Sequence, residues 1–286
     1  DGADGTDFFE AALANGINAF DTARVYMEAE HSFGNWLEKS GRREEEVILS
    51  KCGHPDAMWN KRVNEKEMRK DLKKSLEELK TDYIDIYMLH RDDPDTDVAV
   101  AVETFNAMHE EGSIRAFGAS NWMHTRIEEA NEYAYKHNLI PFSVSSPNFC
   151  LARQIEDPWG GGCVNISGPE NQEARAWYEK NQMPVIAYAS LGRGFFSGRL
   201  KSEYADHASD YLDSFAMTGY ACSDNFERLH RCEIIAERHG VTVAQIAMNW
   251  IFSHPLNIFA IASMSKADRM KANREALLLQ LSDEEI

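Results

Sequence analysis

The stretch EKEMRKDLKKSLEELKTDYIDIYMLH, residues 65–90, changes its apolar period midway. In its first half Met68, Leu72, Leu76 and Leu79 recur at spacings of three and four, which puts them on one face of a helix over Glu65–Leu79. In its second half Ile84–Leu89 is a short, largely apolar run, the pattern of a buried strand. The same two patterns alternate along the chain. Further strands are expected at Ile17–Phe20, Val47–Lys51, Ile114–Ser120, Phe142–Ser146, Val185–Tyr188 and Ile258–Ser263. Further helices are expected at Asp97–Glu111, Thr125–His137, Glu170–Lys180, Asp224–His239 and Thr242–Ser253, with Gly112 and Gly240 marking ends.

Repeated strand–helix units imply a parallel sheet, either open and doubly wound or closed into a barrel. An open sheet binding a dinucleotide would carry G-x-G-x-x-G after its first strand. The nearest candidates, Gly192-Arg193-Gly194 and Gly160-Gly161-Gly162, come late and lack that context. The chain has 286 residues and no linker, repeat or low-complexity segment, so residues 1–286 read as one domain. Two segments, 150–169 and 190–224, are longer than connections need to be. In a barrel, loops that follow strands lie over the C-terminal face, where active sites form.

A formal charge of −17 argues against nucleic acid or an acidic membrane as partner, though a local basic cluster can still hold a phosphate. No apolar run approaches the length of a membrane-spanning helix, and no secretory leader is visible. Five scattered cysteines without a CxxC pair favour reduced thiols in a cytoplasm over disulfides or a metal site; no metal is expected.

Four segments together carry a resemblance. Gly16-Ile17-Asn18-Ala19-Phe20-Asp21-Thr22-Ala23-Arg24-Val25-Tyr26 resembles the signature of aldo-keto reductases, an Asp at a strand end with a Tyr five residues on. Ser50-Lys51-Cys52-Gly53 is similar to the family's lysine segment, and Asp82–His90 to its histidine segment. Gly118-Ala119-Ser120-Asn121 resembles the segment that holds the nicotinamide amide. The resemblance implies a TIM-type (β/α)8 barrel and NADPH-dependent reduction of an aldehyde or ketone, with NADH the less favoured cofactor. It also implies a first strand before Thr6 and a segment after Ile286, neither of which this sequence contains.

The chemistry accounts for the implied catalytic residues Asp21, Tyr26, Lys51 and His90. Carbonyl reduction needs a hydride on carbon and a proton on oxygen, and the Tyr26 phenol can give the proton. A free tyrosine titrates near pH 10, so the Lys51 ammonium would favour the phenolate and lower that value. Asp21 would hold Lys51 charged, and His90 would donate to the carbonyl oxygen and orient the substrate. Each residue alone reads as a cap, a packed ring, a solvated amine or a structural histidine. At three successive strand ends, in family order, the joint reading is stronger.

For the cofactor the resemblance implies Ser120, Asn121 and Ser143 around the amide and Tyr188 stacked on the nicotinamide ring. It implies Leu191, Gly192, Arg193 and Gly194 near the pyrophosphate. Ser263, Ser265, Lys266, Arg269 and Asn273 would receive the adenosine 2′-phosphate at a helix N-terminus. Ser143 stands where the family usually has glutamine, and Tyr188 is followed by Ala189-Ser190 instead of Ser-Pro.

Trp59, Trp122 and Trp159 are candidates to meet substrate, with Phe195 and Tyr220 on nearby loops; packing is the even alternative. Pro158-Trp159-Gly160-Gly161-Gly162-Cys163 has the composition of a lid or of a packed surface loop. The polar, glycine-rich loop at Pro158–Pro169 hints at a hydroxylated substrate such as a sugar or keto-sugar. Two other functions remain open. One is a non-enzymatic nucleotide-binding regulatory subunit, a role that occurs in the family among potassium-channel subunits. The other is a lyase with a Schiff base on Lys51, which Asp21 would oppose by keeping the amine protonated.

Overall fold

Asn64 starts the helix at Glu65–Leu79 by accepting a hydrogen bond from the Glu67 amide at 3.0 Å, and Lys80 ends it in the left-handed region. The buried face is Met68, Asp71, Leu72, Ser75 and Leu79, so two polar residues share the apolar stripe. Asp71 tolerates burial because Arg62 and the Gly53 amide bond its carboxylate.

This computed structural model describes residues 5–263 and 267–286, in two compact units that meet in sequence between Ser145 and Ser146. The first unit runs α1 (Thr6–Ala14), β1 (Ala19–Asp21), α2 (Ala29–Ser40), β2 (Val47–Cys52), α3 (Glu65–Leu79), β3 (Ile84–Leu89), α4 (Val98–Glu110), β4 (Ile114–Ser120) and α5 (His124–Lys136). Its strands pair in parallel and in chain order. Ala19 lies opposite Val47, Lys51 opposite Met88, and Met88 opposite Gly118. That register brings the ends of β1, β2 and β3 to one edge of the unit, where Asp21, Lys51 and His90 sit.

Close backbone approaches hold these layers. A Cβ on Gly34 of α2 would stand 2.0 Å from the Glu78 carbonyl oxygen of α3. Only glycine lets the two helices touch there. Phe105 and Phe117 stack at 5.3 Å in the core, and Phe9, Phe33 and Trp36 form a second ring cluster under α1 and α2. Each such fully buried ring contributes on the order of 1.5–3 kcal/mol.

A short strand β5 (Val144–Ser146) spans the junction between the units. The second unit continues with α6 (Gln172–Asn181), β6 (Val185–Ala187), α7 (Ser214–Tyr220), α8 (Ser223–His239), α9 (Val243–Phe252), β7 (Ile258–Ala260) and α10 (Ala267–Ala276). Strand β6 pairs in parallel with β7. A capping box of Thr242 and Gln245 opens α9. The core of this unit packs Phe195, Phe196, Leu200, Tyr220, Leu229 and Ile246.

The expected strands Ile84–Leu89 and Ile114–Ser120 match β3 and β4 residue for residue. Strands β5, β6 and β7 are shorter than expected. The β6–β7 ladder ends at Ala187; Tyr188 keeps a parallel bridge to Asn148, and Ala189 then turns the chain with a positive φ of 52°. Segment 190–224 is largely ordered, with a 3-10 stretch at Ser202–Asp210 before α7. Among the described residues no helix is long and apolar enough to cross a membrane.

Candidate active site

Asp21 closes β1, Lys51 lies on β2, and His90 follows β3 directly. Backbone bonds continue the ladder past the strand ends: Thr22 N–H donates to Leu49 O, Arg24 N–H to Lys51 O, and His90 N–H to Cys52 O. The segment leading to Tyr26 is therefore tied to β2 before any side chain is considered. Lys51 is 3% exposed, and its Nζ donates to Asp21 Oδ1 at 2.5 Å and to the Thr22 carbonyl at 3.0 Å. The same ammonium lies 5.3 Å from the centre of the Tyr26 ring. The Tyr26 ring meets His90 edge to face at 5.6 Å. All four expected catalytic residues thus come together within the first unit.

The electrostatics follow from burial. Desolvation raises the Asp21 carboxyl above its ordinary value, and Lys51 pulls it back. Tyr26 keeps 42% of its surface open, enough for a substrate to reach it. The covered part still raises its phenol above 10, opposed first by Lys51 and then by Arg91. Lys51 acts in the expected direction, but the net shift of Tyr26 is upward. His90 is driven well below 6.5 by burial first, then by Lys51, His54 and Arg91. It is a neutral imidazole, so one ring nitrogen is a donor and the other an acceptor. Its Nδ1 is buried without a partner among the described residues.

A neutral His90 has a consequence for stability. A base with a depressed folded pKa refuses the proton that the unfolded chain accepts. Its contribution is complete above pH 6.5 and is lost as pH falls below that value toward the folded pKa. His54 and His254, both lowered mainly by burial, act with the same sign. Replacing His90 with Gln is expected to flatten the decline in unfolding free energy between pH 6.5 and 5 by up to about 1.4 kcal/mol per pH unit. Urea titrations of both proteins across that range measure it; identical slopes would mean that His90 ionises in the fold.

Other residues brace this site without having stood out in the sequence. Glu30, 1% exposed, pairs with Arg24 and accepts from Ser50 Oγ at 2.6 Å, linking the Asp21–Tyr26 segment to β2 beside Lys51. His54 lies 4.9 Å from His90, ring to ring. A histidine so close to a lysine segment was the one available sequence signal for it.

Asn121 follows β4 in the left-handed region, φ 60°, and its Nδ2 donates to the His90 carbonyl and to Ser120 Oγ, both at 3.1 Å. Ser143 donates to the Phe117 carbonyl at 3.2 Å. Trp59 is exposed near His54. Trp122 is 1% exposed, packed on Phe142 with Arg126 over its face.

In the second unit Tyr188 is half-buried, and Trp159 packs edge to face on it at 5.7 Å. Arg193 pairs with Asp213 between the rings of Trp159 and Phe215. Asp157 bonds the amides of Trp159 and Cys163, so the glycine loop is stapled in this state. Phe195 and Tyr220 are core residues. The Gly192 and Gly194 amides donate to Ala189 O and Leu191 O inside the Leu191–Phe196 turn. Both bonds stay within that turn. Ser263 and Arg269 are exposed, Asn273 is half-buried one turn beyond Arg269 on α10, and Ser265 and Lys266 lie outside the described residues. Asn148, fully buried, holds the Tyr188 carbonyl and the Tyr220 hydroxyl through Nδ2. A cleft of about 780 Å³ lined by Ser202, His230, Glu233 and Val243 includes none of the expected site residues.

Known proteins are similar to this chain along most of its length. An aldo-keto reductase of Strobilurus tenacellus is 25% identical over 282 residues, covering 97% of this chain and 77% of its own. The protein Tas of Escherichia coli (strain K12) is 29% identical, covering 99% of this chain and 87% of its own. A probable voltage-gated potassium channel subunit beta of Oryza sativa is 25% identical over 94% of this chain and 80% of its own. The crystal structure of a thermostable aldo-keto reductase with the inhibitor epalrestat has a TM-score of 0.71 at 24% identity, covering 98% of this chain and 84% of that one. That likeness shows the fold class, the α/β barrel type that the sequence resemblance implied. The sequence profile of the aldo/keto reductase family matches residues 3–286, and the chain belongs to that family of oxidoreductases.

Proposed function

We propose that the protein is an NADPH-dependent reductase of small aldehydes or ketones, with Tyr26 as proton donor. The observation that carries this reading is the buried Lys51–Asp21 pair, its ammonium 5.3 Å from a Tyr26 ring that is still open to substrate. A bound reduced nicotinamide would supply the hydride to the carbonyl carbon. The protein's own residues do the rest. Tyr26, protonated at neutral pH, gives its hydroxyl proton to the carbonyl oxygen as the charge on that oxygen grows. Lys51 stabilises the phenolate left behind, and Asp21 holds Lys51 in place. Neutral His90 donates one hydrogen bond to the same oxygen and remains uncharged, so it polarises the carbonyl without competing for the proton.

The donor set fits such a cofactor. Ser120, Asn121 and Ser143 offer amide-binding groups, and Tyr188 offers a half-buried ring. Leu191, Gly192, Arg193 and Gly194 are the proposed pyrophosphate contacts. Arg269, exposed in the first turn of the ten-residue helix α10, offers a guanidinium at a helix N-terminus, with Ser263 just before and Asn273 one turn on. Ser265 and Lys266 complete the proposed 2′-phosphate contacts. Arg269→Ala is expected to weaken NADPH by about 1.5–3 kcal/mol and to leave NADH nearly unchanged. Fluorescence titration with both nucleotides measures this, and equal losses would move Arg269 away from the 2′-phosphate.

The overall reading is tested by following NADPH oxidation over a panel of aldehydes, ketones and keto-sugars. A protein that binds NADPH and turns over none of them would favour the nucleotide-binding regulatory role, to which the relatives named as channel subunits give some support. The intact Lys51–Asp21 pair favours the enzyme. Five free cysteines, three of them buried, suit a reducing cytoplasm.

A further inference from the structure

The loop between β2 and α3 is fastened at many points. Arg62 donates to the His54 carbonyl at 3.1 Å and to Asp71 at 2.7 Å, and Asp71 also takes the Gly53 amide at 3.0 Å. Asp56 Oδ1 accepts from the amides of Met58 and Asn60, both at 2.9 Å, and its carbonyl accepts from Trp59 N–H at 2.9 Å. The result is unusual for an aromatic residue. Trp59 is held at φ 61°, a left-handed conformation that costs a bulky side chain energy, and it is left 58% exposed. Neither strain nor exposure helps the fold.

Trp59 ends a row of rings. Tyr26 meets His90 at 5.6 Å, His90 meets His54 at 4.9 Å, and His54 meets Trp59 at 6.5 Å. The row begins at the proposed proton donor and runs outward. Its polar member in the middle is His54. His54 Nδ1 lies 2.8 Å from the Pro55 carbonyl, which can only accept, so Nδ1 carries the ring proton. Burial, with Arg91 and Arg62 nearby, keeps the ring neutral. In that tautomer Nε2 can only accept a hydrogen bond.

We propose that His54 is a specificity-determining residue that accepts a hydrogen bond from a hydroxyl carried by the carbonyl substrate, with Trp59 as the platform on which the substrate's body rests. The inference rests on the carbonyl-reductase reading and names its substrate class: a hydroxylated aldehyde or ketone. A substrate without that hydroxyl leaves the Nε2 acceptor without that bond, and sites built around a hydrogen bond discriminate strongly against such analogues.

Two matched pairs separate the two sources of such a hydroxyl: 4-hydroxybenzaldehyde against benzaldehyde for a phenol, and D-erythrose against butanal for a polyol. The quantity read is the ratio of kcat/KM within each pair, in the full chain and in two variants. His54→Phe keeps a ring in the row and removes the acceptor; His54→Gln restores an acceptor. In at least one pair His54→Phe is expected to lower the ratio about tenfold, mostly through KM, and His54→Gln to recover part of it. Ratios that stay unchanged in His54→Phe for both pairs would overturn the proposal and leave His54 a packing residue. If none of the four aldehydes is reduced, it is the reductase reading that fails. The His54 inference is then decided by calorimetric binding of 4-hydroxybenzyl alcohol and benzyl alcohol. A loss in His54→Phe confined to the hydroxylated ligand supports it, and equal affinities overturn it.

Discussion

Tyr26→Phe is expected to lower kcat for carbonyl reduction by at least about 100-fold, at the low end of what a positioned general acid contributes. The substitution removes one oxygen and keeps the ring, so the edge-to-face contact with His90 at 5.6 Å survives. Nothing else in the site can take over the proton. His90 is neutral and already driven far from protonation, and Lys51 is committed to Asp21 and the Thr22 carbonyl. The raised pKa of Tyr26 sharpens the expectation, because a phenol above 10 is fully protonated at neutral pH and is available as donor in every turnover. NADPH affinity is expected to stay within a factor of two or so of wild type, since the phenol is not among the proposed nucleotide contacts. Steady-state assays together with fluorescence titration of NADPH separate the two effects. A variant that keeps more than about a tenth of wild-type kcat would remove Tyr26 from the role of general acid.

The parts of this protein that were legible in its sequence are those decided by neighbours along the chain. Ile84–Leu89 and Ile114–Ser120 declare themselves because buried parallel strands are apolar and uninterrupted. Helix α3 declares itself through the regular apolar period of Met68, Leu72, Leu76 and Leu79. Helix α2 did not, since Ser32, Gly34 and Asn35 weaken its propensity. It forms because Gly34 lets it press on the Glu78 carbonyl, and no local pattern carries that information. The site divides in the same way. Asp21, Tyr26, Lys51 and His90 stand out by their motif positions, and the parallel register of β1, β2 and β3 brings them together. His54 and His90 are 36 positions apart, and only the pairing of β2 with β3 sets their rings in contact. Trp59 and Trp122 look alike in sequence, yet one is 58% exposed and the other 1%. What separates them is long-range: Trp122 finds Phe142, while Asp56 holds Trp59 away from any core.

Lys51→Met is expected to abolish measurable turnover near neutral pH and to change how stability depends on pH, and the two effects have different causes. Removing the ammonium takes away the largest influence that lowers the Tyr26 pKa. Alcohol oxidation, which needs the phenolate, should then require a more alkaline medium, and its pH profile should move upward or vanish. The stability effect comes from Asp21. Its carboxyl is already raised by burial and is restrained by Lys51. Without Lys51 its folded pKa rises further above the unfolded value of 3.8. A group raised in this way stabilises the fold fully below its unfolded pKa and loses that contribution as pH rises through the folded pKa. The variant should therefore fall further behind wild type as pH increases, by about 3–5 kcal/mol once an uncompensated buried carboxylate must ionise. Urea midpoints at pH 5 and pH 8 measure the trend. Adding Asp21→Asn to Lys51→Met removes the buried charge, so the double variant should regain much of the lost stability at pH 8 while remaining inactive. A deficit equal at both pH values, or undiminished in the double variant, would trace the loss to packing. An unchanged pH profile in a still-active Lys51→Met would show that the lysine does not tune the tyrosine.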